Sequence, residues 1–410
     1  MSISRTTAWL IWVVASIFYA YQYVLRVMPN VMLHDIFQQF HINTTLFGQY
    51  TGAYYIGYAL MHVPIGLLLD RLGPRKVMTV CILLTVLGSL PLVFAEHWVY
   101  PLLGRIFIGA GSSAAILGAF KLIRMGFSEQ YFTRMLSFSV TIGVLGAIYG
   151  GGPLGYLCET MGYHAVIILF ALFGLCLAGL TYILIPDIPP TNQQSIKADL
   201  LAVLSNYKVM TICLLSGLMV GPLEGFADVW GTSFLKTVYH LPEARANSLP
   251  SLIFIGMCMG GPLLSMLAEK SKQYWAVIIG AGSVMMLGFM AIILSQLPLS
   301  WLMFNFLLIG IACAYQILAI YKASTYVPEH QVGLTTAIAN MVIMSFGYAF
   351  HTLISLVISQ FGGPTKPLAL AFGVGVIPTG LALAVIGYSV FLSLERYQIN
   401  HEVTSSQPQR

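Results

Sequence analysis

The sequence predicts an all-α membrane protein whose twelve transmembrane helices form two pseudo-symmetric six-helix bundles. Three observations predict it. Of the 410 residues, 58% are hydrophobic and 8% charged, against roughly 25% charged in soluble domains. Apolar runs long enough to cross a bilayer, about 20 residues each, recur from one end of the chain to the other. Short patterns of the first half also return in the second at a nearly constant spacing, as two parallel repeats require.

The apolar runs fall at 7–29, 46–69, 77–96, 100–124, 135–157, 163–185, 208–238, 248–268, 275–296, 299–323, 333–360 and 368–392; they are numbered here as spans 1 to 12. Twelve crossings put both termini on one side, and the basic residues say which. Arg5, Arg71, Arg75, Lys76, Arg124, Arg134, Lys197, Lys208, Lys270, Lys272, Arg396 and Arg410 fall on the side of the termini, whereas Lys236, Arg245 and Lys366 fall opposite. Lysine and arginine concentrate in cytoplasmic loops, so both termini are expected in the cytoplasm. The formal charge of +5 is then a matter of orientation, and no nucleic-acid partner is expected. Trp9, Trp12, Trp98, Trp230, Trp275 and Trp301 sit near span ends, where an aromatic belt belongs.

Span 1 follows Met1–Arg5 directly, with no small-residue cleavage site, so it is read as a crossing helix and not a signal peptide. It carries Tyr19, Tyr23 and Arg26 on one face, with Gln22 beside them. After it, residues His34 to Phe40 suit a short amphipathic cap on the outer side. Asn43-Thr44-Thr45 matches a glycosylation pattern that chance supplies often. Cys81, Cys158, Cys176, Cys213, Cys258 and Cys313 are scattered singly, as thiols packed within spans are.

Between spans 6 and 7 the texture changes. Residues 186–197 are polar and rich in proline, so 186–207 reads as a cytoplasmic linker between a bundle at 1–185 and a second at 208–395, with a tail at 396–410. Ala198 to Asn206 suits a short helix on the membrane surface. Across that linker Ile108, Gly109, Phe120 and Lys121 return as Ile309, Gly310, Tyr321 and Lys322, an offset of 201 that also pairs Gly146 with Gly347.

The turn between spans 2 and 3 is the most specific motif. Gly66, Asp70, Arg71, Gly73, Arg75 and Lys76 stand at the spacing glycine-x3-aspartate-arginine-x-glycine-x-arginine-lysine, and Ser265, Glu269 and Lys270 form a degraded copy in the second half. This turn resembles the signature loop of the major facilitator superfamily. Arg105-x3-Gly109-x-Gly111 in span 4 is similar to the family's second motif, and Gly143, Gly146, Gly152, Pro153 and Gly155 in span 5 resemble its glycine-proline motif. The resemblance covers the whole chain and implies two bundles around a central cavity, exchanging inward-open and outward-open states. In that setting Gly66 would let two helices approach closely, and the charged turn would act as a conformational latch. A purely orienting basic loop is the alternative.

An ionisable group at membrane depth costs at least about 2.5–3.5 kcal/mol, so each is a functional candidate. Glu224 and Asp228 lie four apart within span 7, close behind Gly221-Pro222, which together with Gly217 and Gly225 should break or kink the helix. Two carboxylates one turn apart repel, and a group able to hold a proton there is what proton coupling requires. The resemblance puts spans 1 and 7 across from each other, so Arg26 would face both. Arginine and carboxylate poles suit a zwitterion; an Arg26–Asp228 bridge that closes an outer gate is the competing reading.

Tyr19, Tyr23, Arg26, Arg105, Glu224, Tyr315 and Gln316 are therefore expected to bind substrate, with Glu224 and Asp228 coupling protons. Arg105 has a structural alternative, a hydrogen bond to the backbone of span 1. Snorkelling explains Lys121 and Lys322, and His62 and His351 stand alone as proton-carrier candidates. No metal-ligand spacing and no cofactor motif is present. The expected function is alternating-access secondary transport, proton-coupled uptake of a small polar nutrient, with an amino acid or small peptide favoured. Residues 18–30 resemble those of bacterial nutrient-uptake members such as the phagosomal nutrient transporters, which implies amino acid or nucleoside import across a bacterial inner membrane. The alternative is a proton-antiporting exporter of an amphipathic compound or metabolite. A membrane-embedded enzyme would need an intramembrane nucleophile and base, and a receptor a large soluble segment; the sequence offers neither. The expected partners are the small-molecule substrate, protons and the lipid bilayer, around a monomer.

Overall fold

The computed structural model describes residues 5–187, 196–328 and 331–405. Eleven helices among them are long and apolar enough to cross a membrane: Arg5–Asn30, Thr44–Leu69, Pro74–Phe94, Val99–Gly126, Tyr163–Leu184, Tyr207–Thr237, Glu243–Ser271, Tyr274–Leu294, Leu299–Ser324, Val332–Gln360 and Pro367–Glu395. The pair Phe138–Tyr149 and Gly152–Met161, bent by 41°, makes the twelfth if counted as one span. That is span 5, and its bend falls at Gly150-Gly151, where Pro153 begins the next helix without an N–H to offer. The spans are therefore those the apolar runs predict.

The two predicted surface helices form as well. Leu33–Phe40 buries Ile36 and Phe40, an amphipathic pattern that holds it against the bundle. Ile196–Ser205 is helical after the linker. Linker residues 188–195 lie outside the described residues, as do Arg410 and the side chains of Asp70, Arg134, Lys197 and Arg396.

The repeat seen in the sequence is a repeat of packing. A Cβ placed on Gly109 of span 4 would strike the carbonyl of Tyr54 in span 2, and one on Gly57 would strike that of Ile106. In the second half Gly310 stands over the carbonyl of Ile253 and Gly256 over that of Leu307. Spans 2 and 4 thus cross backbone to backbone just as spans 8 and 10 do, through glycines at equivalent positions. Gly66 corrects the expectation of a close approach at the turn: a Cβ there would meet only Leu117 Cδ1, at 3.9 Å. Nine residues beyond Gly57, the two helices have already diverged.

The halves meet along spans 2 and 11. Ser355 fills the space in front of Gly48, the Tyr348 ring lies 2.8 Å from a Cβ on Gly52, and the Tyr55 ring 2.6 Å from one on Gly347. At the end remote from the termini, Gly151 and Gly155 of span 5 also abut Asn247 and Ser251 ahead of and within span 8. The Trp belt needs two corrections, the first at Trp12, which is buried and donates its Nε1–H to Ser139 Oγ at 2.8 Å. Trp9 and Trp301 are exposed, but Trp230 is wholly buried, because the wide turn that carries it points inward at Phe47, 5.7 Å away ring to ring.

Candidate functional site

Span 7 does not run as one regular helix. Its α-helix ends at Gly217, and Gly221–Trp230 winds as a π-helix with Pro222 in its first turn. Such wide turns leave the i→i+4 ladder and recur at functional sites. Here they bury Glu224 and Asp228 completely, facing span 1.

Arg26 enters from the last turn of span 1 and lies between them. Its Nε is 2.8 Å from Asp228 Oδ2, and its Nη2 is 3.2 Å from Glu224 Oε2 and donates to Asp228 Oδ1 at 3.3 Å. The guanidinium also stacks over the Tyr23 ring at 4.5 Å, and Tyr19 meets Tyr23 edge to face at 5.3 Å. The face Tyr19–Tyr23–Arg26 is thus assembled as the sequence implies. In this conformation Arg26 is engaged by protein carboxylates, the arrangement of the gate reading.

Three residues complete the cluster that sequence reasoning did not single out or did not join to it. The Tyr55 hydroxyl of span 2 reaches Glu224 Oε2 and, at 2.5 Å, Asp228 Oδ2. A hydroxyl has one proton, so the two carboxylates compete for it. Asn30 Nδ2 donates to the Ala227 carbonyl at 3.3 Å. His351, expected to stand alone, does not: its Nε2 is 2.7 Å from the Glu224 carbonyl and its Nδ1 2.7 Å from Thr51 Oγ1. A carbonyl only accepts, so Nε2 carries a proton, and in the neutral ring Nδ1 accepts from Thr51. Asn30 and His351 therefore satisfy carbonyls that the π-helical winding turns outward. One Glu224 oxygen, Oε1, is buried without a hydrogen-bond partner.

The only sequence signal for Tyr55 was tyrosine density: Tyr50, Tyr54, Tyr55 and Tyr58 crowd two turns of span 2. Tyr54 donates to Gln22 Oε1 at 2.6 Å, tying that run to span 1.

The other candidates are distributed around this centre. Arg105 donates to the carbonyls of Leu25 at 2.6 Å and Arg26 at 2.9 Å, which is the structural alternative raised for it and fixes the backbone that presents Arg26. Tyr315 is fully buried and donates to the Ser216 carbonyl at 2.6 Å, beside the break in span 7. Gln316 is buried with its amide nitrogen unpaired. His62 is also not isolated, since Asn340 Nδ2 of span 11 approaches it at 3.5 Å and the Tyr58 ring lies 5.1 Å away.

At the basic turn Gly73 takes φ 79°, the left-handed region that favours glycine. Arg75 stacks over the Tyr182 ring of span 6 at 4.2 Å, and Lys76 lies 3.7 Å from Asp187 with both side chains exposed. Arg71 is exposed, as are Glu269 and Lys270 of the degraded copy. Among the described residues, no group of three or more His, Cys, Asp and Glu side chains has the arrangement of a metal site.

A family model described as Major Facilitator Superfamily matches residues 11–352. The chain is 24% identical over 246 residues to MdtD of Escherichia coli K12, a protein named for multidrug resistance. That alignment takes in 59% of this chain and 52% of the relative, so the chain spans about half the length of the curated relatives it matches. Among solved structures, a bacterial homologue of the human lysosomal transporter Spinster, inward-facing and unoccupied, superposes with a TM-score of 0.75 at 16% identity, covering 94% of this chain and 97% of that one. A variant of the nucleoside transporter NupG gives a TM-score of 0.77 at 14% identity, covering 93% and 99%.

Proposed function

From the premise that the chain belongs to the major facilitator superfamily and is a multi-pass membrane transporter, we propose that it is a secondary active transporter that couples uptake of a small polar nutrient to protons. An amino acid or small peptide is the favoured cargo. One observation carries this reading: Arg26 of the first half is held between Glu224 and Asp228 of the second, away from water. One cation against two carboxylates leaves a net negative charge, and uncompensated buried charge costs several kcal/mol. A single proton removes it, with Tyr55 placed to pass that proton between the two acids.

Alternating access requires the halves to part at this cluster, which means exchanging the Arg26 bridge for something else. A zwitterion supplies both halves of that exchange, a carboxylate for Arg26 and an ammonium for Glu224 or Asp228. In a bacterial inner membrane with the termini in the cytoplasm, the orientation the basic loops support, the cluster lies toward the outer end of span 1 and would close that side, as an inward-facing conformation requires. Similarity to the inward-facing Spinster homologue supports that assignment. The transporter is proposed to act as a monomer, with the 66–76 turn as a conformational latch between states.

The test is reconstitution into liposomes with an imposed pH gradient, comparing the wild type with Glu224→Gln. Uptake that remains gradient-driven in the variant removes Glu224 as the coupling site. A thermal-shift screen tests the cargo: stabilisation by amino acids or peptides is expected, and stabilisation only by anions lacking an amine rejects the zwitterion. A proton-antiporting exporter is the second reading, favoured by the similarity to MdtD; it predicts substrate accumulation in inverted vesicles acidified inside.

A further inference from the structure

Lys322 was explained in the sequence by snorkelling. Its ammonium lies 5.2 Å from the Trp275 ring and 5.6 Å from that of Tyr326, and among the described residues it has no carboxylate partner. It lines a cavity of about 180 Å³ at the terminus end of the second half, together with Lys272, Gln273, the first turn of span 9 and Leu392. No acidic residue lines that cavity. Glu395, on the same patch, accepts the hydroxyl of Tyr326.

The backbone adds to the positive field. Lys272 takes φ 55°, a left-handed turn that brings the chain sharply into span 9 at Tyr274. Gln273 at the N-cap makes no side-chain hydrogen bond to the helix. The first-turn N–H groups of a 21-residue helix therefore face the cavity beside two ammoniums, and helix N-termini of this kind attract anions. On the flank of the cavity, span 12 exposes Leu383, Ile386, Val390 and Leu394 in one stripe, and span 9 exposes Val284 and Leu287. The cavity thus lies at the terminus end of two spans that expose apolar side chains, and a Trp at such a span end belongs at headgroup level.

We propose that this cavity binds the phosphate of an anionic phospholipid in the leaflet on the side of the termini, with its acyl chains along spans 9 and 12. Lys272 and Lys322 contact the phosphate, and Trp275 holds Lys322 in position. The inference rests on the membrane-spanning reading and is independent of proton coupling.

The full chain, purified and delipidated, is titrated with phosphatidylglycerol or phosphatidylcholine and followed by native mass spectrometry, with inorganic phosphate in a parallel thermal-unfolding series. Phosphatidylglycerol should bind in preference to phosphatidylcholine. Each lysine near a charged lipid is worth about fivefold in affinity, so Lys272→Gln with Lys322→Gln should weaken phosphatidylglycerol binding by about 25-fold. Lys272→Glu alone, at an exposed site outside the packed core, should abolish the preference while leaving thermal stability in detergent unchanged. Equal binding of the two lipids, or undiminished preference in the Lys272→Glu protein, overturns the proposal. Stabilisation by millimolar inorganic phosphate equal to that by phosphatidylglycerol overturns the lipid as occupant and leaves a soluble phosphate anion in its place.

Discussion

Arg26 and Asp228, 202 residues apart in sequence, meet at 2.8 Å where the two halves of the molecule touch. Neither residue has water to turn to. Arg105 holds the carbonyls of Leu25 and Arg26, so the arginine is presented on a fixed backbone, while the acid sits on a helix that departs from regular winding.

Breaking that pair should be costly. Arg26→Ala leaves two carboxylates buried together, and removing one member of a buried pair typically costs about 3–5 kcal/mol. Thermal unfolding should show the loss, and Arg26→Lys should recover only part of it because the fork geometry goes. An Arg26→Ala protein with unchanged melting and transport would contradict this account of the cluster.

Tyr55→Phe tests the shared hydroxyl. It removes a donor to ionised oxygens, a hydrogen bond worth about 1.5–3 kcal/mol, without changing the ring that packs on Gly347. Substrate binding should be retained while the pH profile of exchange shifts. A profile that overlays the wild type assigns the hydroxyl no part in proton movement.

The glycine crossings predict a contrast. Gly109→Ala and Gly310→Ala each put a methyl group against a backbone carbonyl, of Tyr54 or Ile253, and overpacking of this kind costs about 1–3 kcal/mol. Gly66→Ala meets only a leucine methyl at 3.9 Å and should leave stability nearly unchanged. Melting temperatures of the three variants measure the difference, and equal losses would refute the crossing geometry.

Outside the spans, Asp35 gives a pH dependence. Burial pushes its carboxyl above the usual carboxylate range, and Glu243 from the other half adds to this, against the opposing pull of His34 and His164. A raised acid stabilises this conformation when protonated, so the contribution is complete at pH below the ordinary carboxylate value and fades as pH rises through the raised one. If parting the halves separates Asp35 from Glu243, acid on that face favours the closed arrangement. Distance measurements between labels on the 33–40 and 243–248 helices should show the shift, and Asp35→Asn should flatten it.

Much of this architecture was legible in the sequence, because its signals are local. Span lengths follow from apolar runs, the break in span 7 from Gly217 and Gly221-Pro222, and the repeat from glycines at a constant offset. Of the close partners of Glu224, Arg26 was expected and the others were not legible. Tyr55 and His351 reach Glu224, and Thr51 holds His351, only because spans 2 and 11 pack against each other, and that docking depends on how two halves meet, not on any periodicity within one. Trp230 misled for a related reason: its position near a predicted span end says nothing about which way a widened turn will point it. Gly66 misled because a glycine at a motif position need not be the one at the crossing.

The charge count of the Arg26 cluster has an electrical consequence. With one proton the group of Arg26, Glu224 and Asp228 is neutral, and without it the group carries one negative charge. A charge carried through the whole membrane field is worth about 2.3 kcal/mol per 100 mV. Reorientation of the protonated cluster would therefore be indifferent to voltage, whereas the bare cluster would feel the fraction of the potential through which it moves. Current recordings at clamped potentials would read the protonation of the two buried acids, as the slope of rate against voltage.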